Sequence, residues 1–297
     1  MRGVTIFFIV FFGLYGLLHL YGFVKLKRAL EPGPWPLGVL TLFMIMMVLA
    51  PLLVRLLETN AWPTPARILA HIGYVWMGLL FLFVSSALVL DFYRVLMLIL
   101  QGAVRIDLSR LMPSPRLSFF APLFLALIVG IFGFFQALNI RTERIAIQTA
   151  KIPRDIGRLR IVQISDVHLG LIVRQNRLAK ILECVNAAHP DLLVSTGDLV
   201  DGQLNELEGL AEQIRKVRAP LGKYAVTGNH EYYAGIGTAL KFTQEAGFTM
   251  LRERGLTVSG VLNLAGVDDP AGNRFGTGRK VSEKALLAEL PRSAFTV

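Results

Sequence analysis

Cysteine is almost missing from this 297-residue chain. The one thiol, Cys184, excludes an intrachain disulfide and leaves the redox compartment open. It falls in a helical pattern with Leu178, Ile181, Leu182 and Val185, and is expected to be a small core residue. Charge is also scarce, at 18% of residues, and acid is scarcer than base: 21 Asp and Glu against 31 Lys and Arg, for a formal net charge of +10. The basic residues are scattered along connections, without an aromatic-interleaved cluster, so no nucleic-acid partner is expected. Basic residues flanking membrane spans meet anionic headgroups instead. Histidine is rare as well: there are five, and none follows His230.

Apolar residues are what the chain has in excess, at 54%, with a mean hydropathy of +0.54. The excess sits in residues 1–140, whereas 141–297 have ordinary globular composition. This predicts a membrane domain over 1–140, a linker and first strand over 141–157, and an α/β domain over 158–297. Four stretches are long enough to cross a bilayer: 4–24, 37–54, 68–90 and 119–138. The third resumes after Asp91 and Arg94 as an apolar run, so it is expected to be longer or to bend into the interface. Asp91 and Arg94, three apart, would form a local pair on a helix. Lys25, Lys27 and Arg28 mark the first connection, and Arg105 and Arg110 the third. The positive-inside rule then places these two in the cytoplasm and the C-terminal domain on the exoplasmic side of a multi-pass cell-membrane protein. Arg141, Arg144, Lys151 and Arg154 vote the other way, but they lead into a folded domain. His19 and His71 lie in or near spans without a carboxylate spaced to pair with them. Each is expected to be a neutral imidazole bonded to a neighbouring helix or sitting near an interface.

Beyond residue 140 the pattern alternates. Glu143–Thr149 reads as a first strand. Then come strand Arg160–Ile164, helix Gln175–Ala188, strand Leu192–Ser195, helix Asn205–Val217, strand Tyr224–Thr227 and helix Gly237–Ala246. Short strands are expected at Thr249–Arg252, Leu256–Ser259 and Leu262–Val267, then a helix Ser282–Leu290 capped by Ser282. Ala294–Val297 looks like a strand beginning, and the expectation is that the sequence is incomplete there.

Three motifs follow the three apolar strands: Asp166-Val167-His168, Gly197-Asp198 and Gly228-Asn229-His230-Glu231. In an open α/β sheet that edge is where sites form. A carboxylate with an imidazole suits Mn, Fe, Co or Zn better than Ca or Mg. Asp198 has two oxygens and can bridge two ions, Asn229 offers a neutral amide oxygen, and His230 is free to face substrate. Two ions sharing a water lower its pKa toward neutrality, and the resulting hydroxide attacks phosphorus in line. A histidine on the opposite side stabilises or protonates the leaving oxygen. Each motif alone is an ordinary turn; the three in order, each after a strand, argue for a metal site. Asp201, Glu231, Asp268 and Asp269 are expected to bond loop backbone or orient ligands. His189 is expected to be structural, and Tyr232 and Tyr233 to line the mouth of the site or to pack.

These residues resemble the calcineurin-like metallophosphoesterase superfamily over about 158–270. The resemblance rests on Ile164–Gly170, Thr196–Asp201 and Gly228–Glu231. The wording and the preceding spans are similar to its membrane-associated, YkuE-like branch. The resemblance implies a β-sandwich flanked by helices and a dinuclear centre of two divalent metal ions. It implies Asp166 and His168 on one metal, Asp198 bridging, Asn229 on the other, and His230 near the leaving group. The family pattern continues with a further histidine and a Gly-His-x-His segment, neither of which is present. The expectation is therefore a C-terminally truncated domain that holds metal poorly and turns over little substrate.

The expected function is a membrane-anchored, metal-dependent phosphoesterase acting on phosphoester or pyrophosphate bonds, with a lipid-linked or envelope-derived phosphorylated substrate. A catalytically degenerate membrane scaffold or regulator is the alternative. A transporter with an attached domain is disfavoured by the near absence of charge within the spans.

Overall fold

The computed structural model describes residues 2–202, 207, 209–276 and 282–297. The chain divides into two compact units, Met1–Asn139 and Ile140–Val297. The first is built on α1 (Arg2–Leu30), α2 (Pro34–Thr59), α3 (Pro63–Val104) and α4 (Leu117–Leu138). All four are long and apolar enough to cross a membrane. Prolines stand in the first turns of α2 and α3, where the missing N–H has no helical partner to lose. Helices in lipid gain little from burying apolar surface and instead pack through small residues. Ala50, Ala66, Ala70, Ala87 and Ala126 are accordingly buried. Gly73 of α3 lies so close to Ala50 of α2 that a Cβ would sit 3.0 Å from its methyl.

The four expected spans fall inside these helices. The third is the longer of the two expected forms: α3 runs unbroken for 42 residues. Asp91 is also not confined to its own helix. It accepts hydrogen bonds from Tyr21 and Lys25 of α1, so its carboxylate ties two helices together. His19 is fully satisfied. Trp76 Nε1 donates to its Nε2 at 2.9 Å, and its Nδ1 lies 2.8 Å from the Tyr15 carbonyl. The His71 ring bonds its own helix, at Arg67.

In the second unit, β1 (Ile161–Ile164), β2 (Leu192–Ser195), β3 (Lys223–Ala225) and β4 (Thr249–Met250) form a parallel sheet in chain order. α5 (Gln175–Ala187), α6 (Leu210–Arg215) and α8 (Ile236–Glu245) connect them. β5 (Arg254–Val258) and β6 (Leu262–Gly266) pair antiparallel, and β7 (Phe295–Thr296) adds to β6 in parallel. Side chains alternate across the first sheet, as strand geometry requires. Val162, Ile164 and Leu193 pack against the helices, with Leu178, Leu182, Ile214 and Phe242. Ile161, Leu192 and Val194 point the other way and meet Val258, Leu262 and Leu264 of the second sheet. The result is a helix layer over two facing sheets.

One expectation fails. Residues 143–149 form no strand; Ile145 and Ile147 are 84% and 67% exposed, and no edge among the described residues completes a ladder with them. Among the described residues of the helix expected over 205–217, Leu210–Arg215 are helical; 203–206 and 208 lie outside the described residues. α10 (Glu283–Ala288) begins after Ser282, which holds the cap position without a side-chain hydrogen bond. Cys184 is half-buried.

Candidate metal centre

The carboxyl ends of β1, β2 and β3 lie side by side, and each continues as a loop. Beyond the sheet the first two loops keep exchanging backbone hydrogen bonds. Asp166 N–H donates to the Gly197 carbonyl, His168 N–H to that of Asp198, and Asp201 N–H to that of Leu169. Asp166, His168 and Asp198 all adopt positive φ, at 53°, 52° and 51°. A left-handed backbone costs an L-residue roughly 1–2 kcal/mol. It persists where surrounding bonds over-determine it, and such strain concentrates at functional sites.

Two glycines let the second and third loops touch. Gly197, at φ 105°, would carry a Cβ 2.7 Å from the Gly228 nitrogen, and a Cβ on Gly228 would overlap Asp198 Oδ1. Glu231 then binds both loops. It is 2% exposed. Its carboxylate accepts the backbone N–H of Asp198 at 3.0 Å, Leu199 at 2.8 Å and Gly228 at 2.7 Å. A buried carboxylate is tolerated because backbone donors replace water around it. The Gly228 bond, from the N-cap amide to the carboxylate three residues on, opens α7 (Asn229–Ala234), and this places Asn229 and His230 at the rim.

His168, Asp198 and His230 offer ligand atoms within 4.8 Å of one another. His168 Nε2 lies 3.8 Å from Asp198 Oδ2 and 4.0 Å from Asp166 Oδ1. The His230 N–H donates to Asp198 Oδ1 at 2.9 Å. The two imidazoles meet edge to face, with centroids 4.4 Å apart. Asp166, His168, Asp198 and His230 are thus brought together, and half-buried Asn229 opens α7 one residue before His230. Imidazole nitrogen mixed with carboxylate oxygen, partly open to solvent, is a donor set that suits a first-row divalent ion.

Asp201 holds a more specific place than its sequence suggests. Its Oδ1 lies 2.8 Å from His230 Nδ1. A carboxylate only accepts, so Nδ1 carries the hydrogen and the Asp201 contact leaves Nε2 uncommitted. The signal was the spacing: Asp198 and Asp201 share one loop, three residues apart.

The other candidates lie apart from the donors. Asp268 accepts two bonds from Arg252 Nε, at 2.9 and 3.0 Å, and one from Thr227 at 3.2 Å. Burial alone would raise its carboxyl pKa; the hydrogen bonds and charge of Arg252 outweigh this and hold it below the ordinary 3.8. Asp269 bonds loop backbone at Ala271. His189 is exposed at the end of α5. Tyr232 is buried, and burial raises its pKa. Tyr233 lies against His230, with ring centroids 5.4 Å apart.

The calcineurin-like phosphoesterase family profile matches residues 159–286. A metallophosphoesterase of Aquifex aeolicus is 38% identical over 175 residues, covering 59% of this chain and 67% of that protein. YkuE of Bacillus subtilis, also a metallophosphoesterase, is 31% identical over 151 residues, covering 47% of this chain and 52% of its own. A transmembrane protein with a metallophosphoesterase domain from Danio rerio is 35% identical over 112 residues, covering 37% of this chain and 26% of its own. The chain therefore spans two-thirds of the first relative and about half or less of the other two. With the profile laid over β1 to α10 and such identity across two-thirds of the Aquifex protein, this chain belongs to the calcineurin-like metallophosphoesterase family.

Proposed function

We propose that the chain is a membrane-anchored, metal-dependent phosphoesterase that uses two divalent ions, Mn, Fe, Zn or Co, to cleave phosphoester or pyrophosphate bonds. The observation that carries this reading is the convergence of His168, Asp198 and His230 at the ends of three parallel strands. Asp166, His168, Asp198 and Asn229 would hold the metals, and Asp198, with two carboxylate oxygens, is the residue able to serve both. When bound, the metals neutralise phosphoryl oxygens and make a nucleophile available at neutral pH. Strained backbone at Asp166, His168 and Asp198 keeps the donors aimed before substrate arrives. His230 is held through Nδ1 by Asp201; as an imidazolium, with a hydrogen on both ring nitrogens, it would donate from Nε2 to the leaving oxygen, give it that proton and be left neutral.

The apolar helices favour an amphiphilic or envelope-derived substrate held near the bilayer. Basic residues in the first and third connections favour an exoplasmic α/β domain. A reporter fused after residue 160 that is active only in the cytoplasm would reverse that orientation. The function is tested by metal analysis and phosphoester hydrolysis of the detergent-purified full-length protein beside Asp198→Asn. Loss of both metal and turnover in the variant is expected. Unchanged metal content and rate would exclude Asp198 as the bridging ligand.

A second reading concerns His230 alone. Its ring lies within the same donor group as His168 and Asp198, which favours it as a ligand rather than a leaving-group residue. Replacing the ring with alanine separates the two roles, because only a ligand takes metal away with it.

A further inference from the structure

Tyr233 and Phe275 stand as bare rings at the edge of the donor group, 48% and 49% exposed. Tyr233 meets His230 edge to face, at 5.4 Å and 70°. Phe275 meets Tyr233 at 5.9 Å and 63°. The two rings form the walls of an open corner beside the imidazole that faces the leaving oxygen. The corner is held from beneath. Phe275 stacks on Tyr232 at 6.1 Å and 15°, and Tyr232 is 4% exposed. The Tyr232 hydroxyl lies 3.5 Å from Thr227 Oγ1, which donates to Asp268, itself bound by Arg252. α9 (Ala271–Arg274), which leads into Phe275, sits directly on this support: a Cβ on Gly272 would come within 2.6 Å of the Tyr232 hydroxyl.

Single apolar side chains on a surface need no explanation. Two rings in contact, one stacked on a buried tyrosine that belongs to a polar network and the other set against a half-buried imidazole, are a different matter. Their ordering cost is met by the fold, so a ligand stacking on them loses little entropy of the protein.

We propose that Tyr233 and Phe275 form a stacking shelf for a planar ring, a nucleobase or an aryl group, carried on the leaving-group side of the phosphoester. This rests on the phosphoesterase reading and on His230 facing the leaving oxygen. A flexible alkyl chain gains from any apolar surface, whereas a flat ring gains most from other flat rings, in offset or edge-to-face geometry.

The test uses the full-length protein in detergent, loaded with Mn, and calorimetric titration with inorganic phosphate, ribose 5-phosphate and AMP. The last two share the phosphate and the sugar and differ in the base. AMP is expected to bind roughly tenfold more tightly than ribose 5-phosphate. Tyr233→Leu and Phe275→Leu are each expected to bring that ratio toward one, while Tyr233→Phe, which keeps the ring, preserves it. Binding of phosphate to each variant shows that the centre is still formed. A ratio near one in the unaltered chain, or one that survives both leucine variants, overturns the shelf and leaves the phosphoesterase reading standing. Failure of phosphate to bind the Mn-loaded chain removes that reading, and the shelf with it.

Discussion

Asp201 touches His230 through one oxygen, and that oxygen also lies 4.0 Å from Nδ1 of His168. Replacing it with asparagine keeps the shape and removes the charge. Asp201→Asn is expected to lower kcat by about 100-fold, with KM and bound metal little changed; steady-state kinetics with metal analysis checks this. His230→Ala discriminates the two roles of that ring: retained metal with lost kcat marks a leaving-group residue, and lost metal marks a ligand. Asp268 is a structural carboxylate. Arg252→Met would strand it in the interior and is expected to cost about 3 kcal/mol in denaturant unfolding. The folded Asp268 has a pKa below its ordinary 3.8. Its contribution to stability is therefore complete above that value and lost as pH falls through the lowered one. Acid unfolding should show this dependence in the parent chain and lose it in the variant. The metal-type residues were legible because strand ends, glycines and donor types coincide in sequence. The partners of Glu231 were not, because backbone amides more than thirty positions away leave no mark in side-chain pattern.

The loops rather than the strands decide whether the donors meet. Gly228 has no room for a methyl beside Asp198, so Gly228→Ala is expected to displace that carboxylate and lower the metal content. Circular dichroism should stay close to the parent, because the sheets lie behind the loop. β1, β2 and β3 could be read from apolar runs bounded by turn residues. The expected strand over 143–149 had the right alternation, and it failed because pattern specifies a face but not a partner. Ile145 and Ile147 alternate correctly, yet no strand among the described residues pairs with them. The length of α3 was half legible: the apolar run resuming after Asp91 and Arg94 pointed to a longer span or a bend, because two charges look like a span's end, and the helix is continuous. Asp91 is accommodated by α1, 66 residues earlier in the chain.

The Lys25–Asp91 pair works on the scale of the whole membrane unit, since it joins α1 to α3. Lys25→Met is expected to lower the thermal midpoint of the detergent-solubilised protein by removing the cation bound to the Asp91 carboxylate between helices. Adding Asp91→Asn should recover most of that loss; a double variant no better than the single would mean the pair does not couple the helices. The length of α3 has a separate consequence. At 1.5 Å per residue its 42 residues measure about 63 Å, against about 30 Å of hydrocarbon. Fitting all of it would demand a lean of about 60°, well past the 0–40° that spanning helices adopt. A straight, spanning α3 would therefore outreach the oily slab. Because Phe92, Ile99 and Val104 remain 72%, 64% and 56% bare along its last turns, it delivers greasy surface to a depth where lipid tails thin out.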